Sequence, residues 1–300
     1  MKEIKELCRK ILIVFMTVLM SGVSMLGIRL DDTYTPGTFP IYAPEAQTEG
    51  TIRVMSFNIR YADVNGVPAT LRRTIVYDEI CAVNPDSFGV QEAKLDWMTY
   101  LRLMLTDYKS VGNGRDGGSR GEHNAIFYRS DKYDLIDSGT FWLSDTPDKP
   151  SMALDAACRR VCTWAVLEDK ASSMRYVHVN SHFDNRGEEA RKFEAEMVSS
   201  FIDERFADLP VVFTADLNSF SYETAYRTMT RSLIDTRETA DKSEVYSTFH
   251  DGDPENCYEV IDYILCSDDF HAVAFKTVTA GIDGRFVSDH FPIYADLRLQ

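Results

Sequence analysis

Six apolar runs in this chain are closed or interrupted by residues able to hold a cation or move a proton. IRVMSFNIR carries Asn58, and SFGVQE ends on Gln91 and Glu92. RYVHVNSHFDN ends with Asn180, His182 and Asp184, and PVVFTADLN with Asp216 and Asn218. EVIDYIL carries Asp262, and FVSDHFPI carries Ser288, Asp289 and His290. Taken singly, Asn and Asp close strands because their side chains hydrogen-bond nearby backbone. Asp262 is different: inside an apolar run a carboxylate costs desolvation unless it has a partner. Six closures of one chemical type are harder to attribute to turn preference.

If the strand ends gather at one sheet edge, these side chains converge. Asp, Glu and Asn oxygens then make a site for a hard cation such as Mg²⁺, with Mn²⁺ or Ca²⁺ as alternatives. The absence of a compact Cys/His cluster disfavours zinc. Histidines beside carboxylates suit phosphate contact or proton transfer. A cation, a carboxylate to activate water and polar groups around the phosphoryl oxygens together make metal-assisted hydrolysis.

The elements that must position these residues alternate along the chain. Strands are expected over 52–59, 87–90, 125–128, 137–143, 160–167, 175–180, 210–214, 259–265, 272–278 and 292–297. Helices are expected over 71–83, 96–105, 187–206 and 222–230. The third helix has the clearest period, with Ala190, Phe193, Met197 and Phe201 recurring three and four apart. Strands and helices that interleave without strict alternation imply an α/β domain with mixed sheets.

The order N-I-R, Q-E, H-x-D, D-L-N, I-D-Y and S-D-H resembles the endonuclease/exonuclease/phosphatase superfamily, also called DNase I-like, from Thr51 to the C-terminus. SGTFWLS, GEHNAIFYR and HFDNRGEEAR look like its exported bacterial subgroup. The resemblance implies a four-layer α/β/β/α sandwich with two mixed sheets. It also implies roles. Glu92 and Asn58 match the metal-binding pair, and Asp289 a further metal-side carboxylate. Asp216 matches the residue that activates water, and Asn218 the one that positions phosphate and nucleophile. His290 matches a phosphate-stabilising histidine oriented by Asp262, and His182 a second phosphate contact. Asp184, Glu122 and Arg160 are second-tier candidates. Glu122 follows a Gly-rich loop that reads equally as solvated, and Arg160 reads equally as half of a surface pair with Arg159. Trp142 reads as core packing.

The formal net charge of −15 argues against tight binding to long polyanions, which needs clustered Lys and Arg. A phosphate ester, small or lipid-borne, is therefore the expected substrate. An exported nuclease of the same fold is the alternative, followed by a non-catalytic binding module. No protein partner is readable.

Lys2, Lys5, Arg9 and Lys10 precede an uncharged run from Ile11 to Ile28, as in a signal peptide or membrane anchor over residues 1–30. Residues 31–50 read as a linker and 51–300 as the catalytic domain, facing the periplasm or the exterior. Cys8 lies in the export segment. Of the others, Cys81 reads as core. Cys158–Cys162 and Cys257–Cys266 are conceivable but unsupported disulfides.

Overall fold

The computed structural model describes residues 45–253, 260–279, 281–282 and 285–300. The expected export segment, most of the linker, Cys8 and Cys257 lie outside the described residues. No helix among the described residues is long and apolar enough to cross a membrane.

The first half runs β1 (Ile52–Asn58), α1 (Ala69–Val83), β2 (Ser87–Ala93), α2 (Leu95–Met104), β3 (Tyr108–Val111), β4 (His123–Arg129), β5 (Tyr133–Trp142) and β6 (Val161–Asp169). Then follow β7 (Arg175–His182), α3 (Glu188–Arg205), β8 (Val211–Asp216), α4 (Thr224–Met229), β9 (Ile234–Asp235), α5 (Thr236–Thr239) and β10 (Lys242–Glu244). The chain finishes with β11 (Asp262–Cys266), β12 (Phe270–Thr277), β13 (Gly281–Ile282), β14 (Arg285–Phe286) and β15 (Ile293–Leu299). One mixed sheet has the order β10-β12-β15-β1-β2-β4-β3, and the second has β5-β6-β7-β8-β11-β9.

Three apolar clusters define four layers. Met55, Phe57, Phe88 and Val90 pack outward from the first sheet against Val76, Ile80, Trp97 and Leu101 of α1 and α2. Val177, Val179, Phe213 and Leu265 pack outward from the second sheet against Ala195, Val198 and Ile202 of α3. Between the sheets, Val54, Ile126 and Leu297 meet Leu167, Tyr176, Val212 and Ile264. This is the expected α/β/β/α sandwich. In α3 the fully buried stripe is Ala190, Glu194, Val198 and Ile202, and the Phe193, Met197 and Phe201 row is only partly buried.

Strand alternation positions the site, because side chains two apart share a face. In β1, Val54 of the inter-sheet core is followed on its face by Ser56 and Asn58; in β8, Val212 is followed by Thr214 and Asp216. In β7, Tyr176 is followed by His178, Asn180 and His182. The inter-sheet face thus grades from apolar to polar along each strand, ending in Asn58 on β1, His182 on β7 and Asp216 on β8. Parallel pairing of β1 with β2 and of β7 with β8 brings these ends to one edge, with His182 beside Asp216. Antiparallel β11 places its first residue, Asp262, opposite Asp216.

The neutral polar middle joins the sheets. Gln91 Nε2 donates to Asn180 Oδ1 at 2.7 Å, and Asn180 Nδ2 donates to the carbonyls of Val90 and Ala125. His178 sits between the hydroxyls of Ser87 and Thr214. Gly89 is required here: a Cβ would lie 2.3 Å from Thr214 Oγ1 and 2.4 Å from Asn180 Oδ1.

Two expectations are corrected. Cys81 is exposed, because α1 turns it away from the sheet. Arg160 is buried, unlike its neighbour Arg159. Cys158, Cys162 and Cys266 are free thiols.

Candidate active site

Three side chains meet around one buried carboxylate oxygen, Oδ2 of Asp216. Asn58 Nδ2 donates to Asp216 Oδ2 at 2.9 Å. His182 Nε2 lies 3.3 Å and His290 Nε2 3.8 Å from the same oxygen. Asp216 Oδ1 accepts the backbone N–H of Asn218 at 2.9 Å, and Asn218 Nδ2 donates to His182 Nε2 at 2.9 Å and to Phe183 O at 3.0 Å. Asp262 Oδ2 lies 2.8 Å from His290 Nδ1, which supplies the partner that this carboxylate needs inside an apolar strand.

The two histidines are electrostatically unlike. Burial works against a charge on His290, but Asp262 and Asp216 outweigh it and raise its pKa to about 10, so it is an imidazolium. Burial and the nearby Arg160 guanidinium hold His182 well below the ordinary histidine range, so it is neutral. A neutral His182 has the Nε2 lone pair that Asn218 requires. Burial, followed by the Asp262 charge, raises Asp216 above the ordinary carboxylate range. A carboxylate so tuned is suited to taking a proton near neutral pH.

Glu92, Asn58 and Asp289 form the adjoining part of the site. Asn58 Nδ2 reaches Glu92 Oε1 at 3.4 Å, and the Tyr61 N–H reaches Oε2 at 3.5 Å. The guanidinium of Arg60 lies 3.8 Å from Glu92 and 3.5 Å from Asp289. Charge-assisted bonds are normally roughly 2.7–2.9 Å long. Glu92 is only 8% exposed, so it is a buried carboxylate with no short partner among the described residues. That under-satisfaction fits an oxygen-coordinated cation at Glu92, with Asn58 and Asp289 alongside. Asp216, Asp262 and His290 also place ligand-type atoms within 4.8 Å of one another. His290 is charged and already engaged by Asp262, so this group reads as the proton-handling core and not as the cation's ligand set.

The backbone is bent where the site needs it. Arg60, Glu92 and Asn218 have φ of 49°, 62° and 45°, and β2 slips register between Val90 and Ala93. Left-handed backbone at non-glycine residues is disfavoured and persists where surrounding structure holds it, commonly at functional sites.

The second-tier residues lie on the flank beyond His182. Arg160 donates from Nε to Asp184 Oδ2 at 3.4 Å and from Nη2 to Asn185 at 3.2 Å. Asp184 also accepts the N–H groups of Ala157, Arg186 and Gly187, so it fixes the turn into α3 and does not face the reacting atoms. Glu122 is buried against Arg115 at 2.8 Å and is not a solvated loop residue. Trp142 is buried and donates to Arg115 O. Sequence reasoning missed Arg60 and Arg115. Arg60 lay inside the quoted N-I-R, and only its position two residues after Asn58 pointed to it.

The chain belongs to the endonuclease/exonuclease/phosphatase family, whose model matches residues 55–290. Proteins of this family are hydrolases acting on phosphate esters. A family member from Bacteroides vulgatus is 36% identical over 83% of this chain and 99% of its own, with a TM-score of 0.79. A mannosyl-6-phosphatase from Bacteroides thetaiotaomicron is 32% identical over 82% of this chain and 99% of its own, with a TM-score of 0.78. The human Nocturnin catalytic domain, at 19% identity, 85% and 97% coverage and a TM-score of 0.67, shares the fold. No curated protein matches.

Proposed function

We propose that the chain is an exported, divalent-metal-dependent hydrolase of a small or lipid-borne phosphate ester. The observation that carries this reading is the meeting of Asn58, His182 and His290 around Asp216 Oδ2, beside the under-satisfied Glu92. A Mg²⁺ or similar ion held by Glu92, Asn58 and Asp289 would supply Lewis-acid polarisation of the phosphoryl group. Asp216 accepts the proton of the attacking water. Asn218 holds that carboxylate through its backbone N–H and steadies His182 with its amide. The His290 imidazolium, fixed by Asp262, stabilises charge developing on the phosphoryl oxygens. His182, kept neutral, lines the same pocket 3.3 Å from Asp216 Oδ2.

A mannosyl-6-phosphatase among the similar structures makes sugar phosphates the first compounds to test. The full chain is assayed with sugar phosphates, nucleotides, aryl mono- and diesters and phospholipid headgroups, with Mg²⁺ and with chelator. Chelator-sensitive release of phosphate or alcohol is expected. A folded protein inactive on the whole panel with Mg²⁺, Mn²⁺ and Ca²⁺ refutes the reading. Export rests on the basic and apolar pattern of residues 1–30, and recovery of the protein in the cytosolic fraction would overturn it.

A further inference from the structure

We infer that Arg72 is a positioning residue for the cation side of the site, clamping together the two chain segments that carry Asn58 and Asp289; the inference rests on the metal-dependent reading above. Arg72 projects from α1, is fully buried, and makes no ion pair among the described residues. Among the described residues it donates only to backbone carbonyls. Nη1 reaches Ile59 O at 2.8 Å and Val287 O at 3.0 Å. Nη2 reaches Ile59 O at 2.8 Å and also Arg60 O. Those carbonyls lie one or two residues from Asn58 on one segment and from Asp289 on the other. A planar fork with several donors can span separate acceptors in a way that a single ammonium cannot.

Two further contacts act alongside, one holding the Asn58 segment to α2 and one joining the two segments directly. Trp97 of α2 donates from Nε1 to Tyr61 O at 3.1 Å, with the Arg72 guanidinium 5.3 Å from its ring. Ser288 Oγ donates to Asn58 O at 2.7 Å. The carbonyls of Ile59, Arg60 and Tyr61 are thus held from the helix layer where the backbone turns left-handed at Arg60. A buried cation without its own carboxylate costs much free energy. Retaining one here is explained if its hydrogen bonds fix the geometry of Asn58 relative to Asp289 strongly enough to outweigh its repulsion of a nearby cation.

Calorimetric titration of the full-length protein with Mn²⁺, without substrate, tests this alongside thermal melts with and without the ion. Loss of supporting contacts to metal ligands typically weakens binding about 10–100-fold. Arg72→Met should fall in that range and Arg72→Lys between it and the parent, with melting of Arg72→Lys in chelator close to the parental value. Folded variants that bind Mn²⁺ with parental affinity overturn the inference. If Arg72→Met does not fold, Arg72→Lys decides alone. A parent that binds no divalent ion removes the metal reading itself, an outcome distinct from equal affinities in parent and variant.

Discussion

At the scale of single residues, the proposed hydrolysis depends on two buried histidines, one neutral and one charged, lying 3.3 and 3.8 Å from the same carboxylate oxygen. Asp216→Asn should lower turnover by on the order of 10²–10⁴ while leaving the melting temperature nearly unchanged. Undiminished activity in that variant would remove Asp216 from the reaction. His290 permits a separate test without substrate. Its pKa is raised from 6.5 to about 10 in the folded protein. The stability it contributes is therefore fully present below pH 6.5 and lost as pH rises through about 10. Urea unfolding in chelator should show a steeper loss of stability over that window in the parent than in His290→Gln. Parallel curves would mean that the folded protein does not hold the imidazolium. Asp216, Asp262, His182 and His290 were legible because each breaks an apolar strand. Arg72 was not, because an arginine in a helix carries no sign that it points inward at carbonyls.

At the scale of elements, alternation does the positioning, and apolar runs made the strands legible. The long strands fell within a few residues of where they were expected. The edge strands β3, β9 and β10 are only two to four residues long. They carry too few apolar positions to show a period, and pairing with longer neighbours defines them. The helix layer contains a contrary element. Glu79 of α1 is 3% exposed, and neither carboxylate oxygen has a hydrogen-bond partner among the described residues. Burial raises its pKa from 4.5 to about 8, so stability is lost as pH rises across that interval. Glu79→Met should stabilise the fold by on the order of 1 kcal/mol or more. That advantage should widen between pH 4.5 and pH 8 in denaturant titrations. A variant less stable than the parent at pH 8 would show that the carboxylate has a role in the helix layer that burial alone does not reveal.

At the scale of the whole molecule, the net charge of −15 sets what can approach. Plasmid DNA should stay intact under conditions where small phosphate esters are hydrolysed, at about 0.15 M salt. Nicking that disappears steeply as salt is raised would instead mark a nuclease. The contact around Gly89 has a wider consequence for how such a protein can change. The two sheets are pinned directly beneath the reactive edge, so neither can slide on the other without breaking the Gln91–Asn180 link. Adaptation to a new substrate should therefore fall on loops, among them 113–122, where Arg115 meets Glu122, 145–159, where the Ala157 N–H reaches Asp184, and 219–223, which follows Asn218. Chimaeras that exchange those loops between relatives should inherit the donor's substrate and the recipient's chemistry.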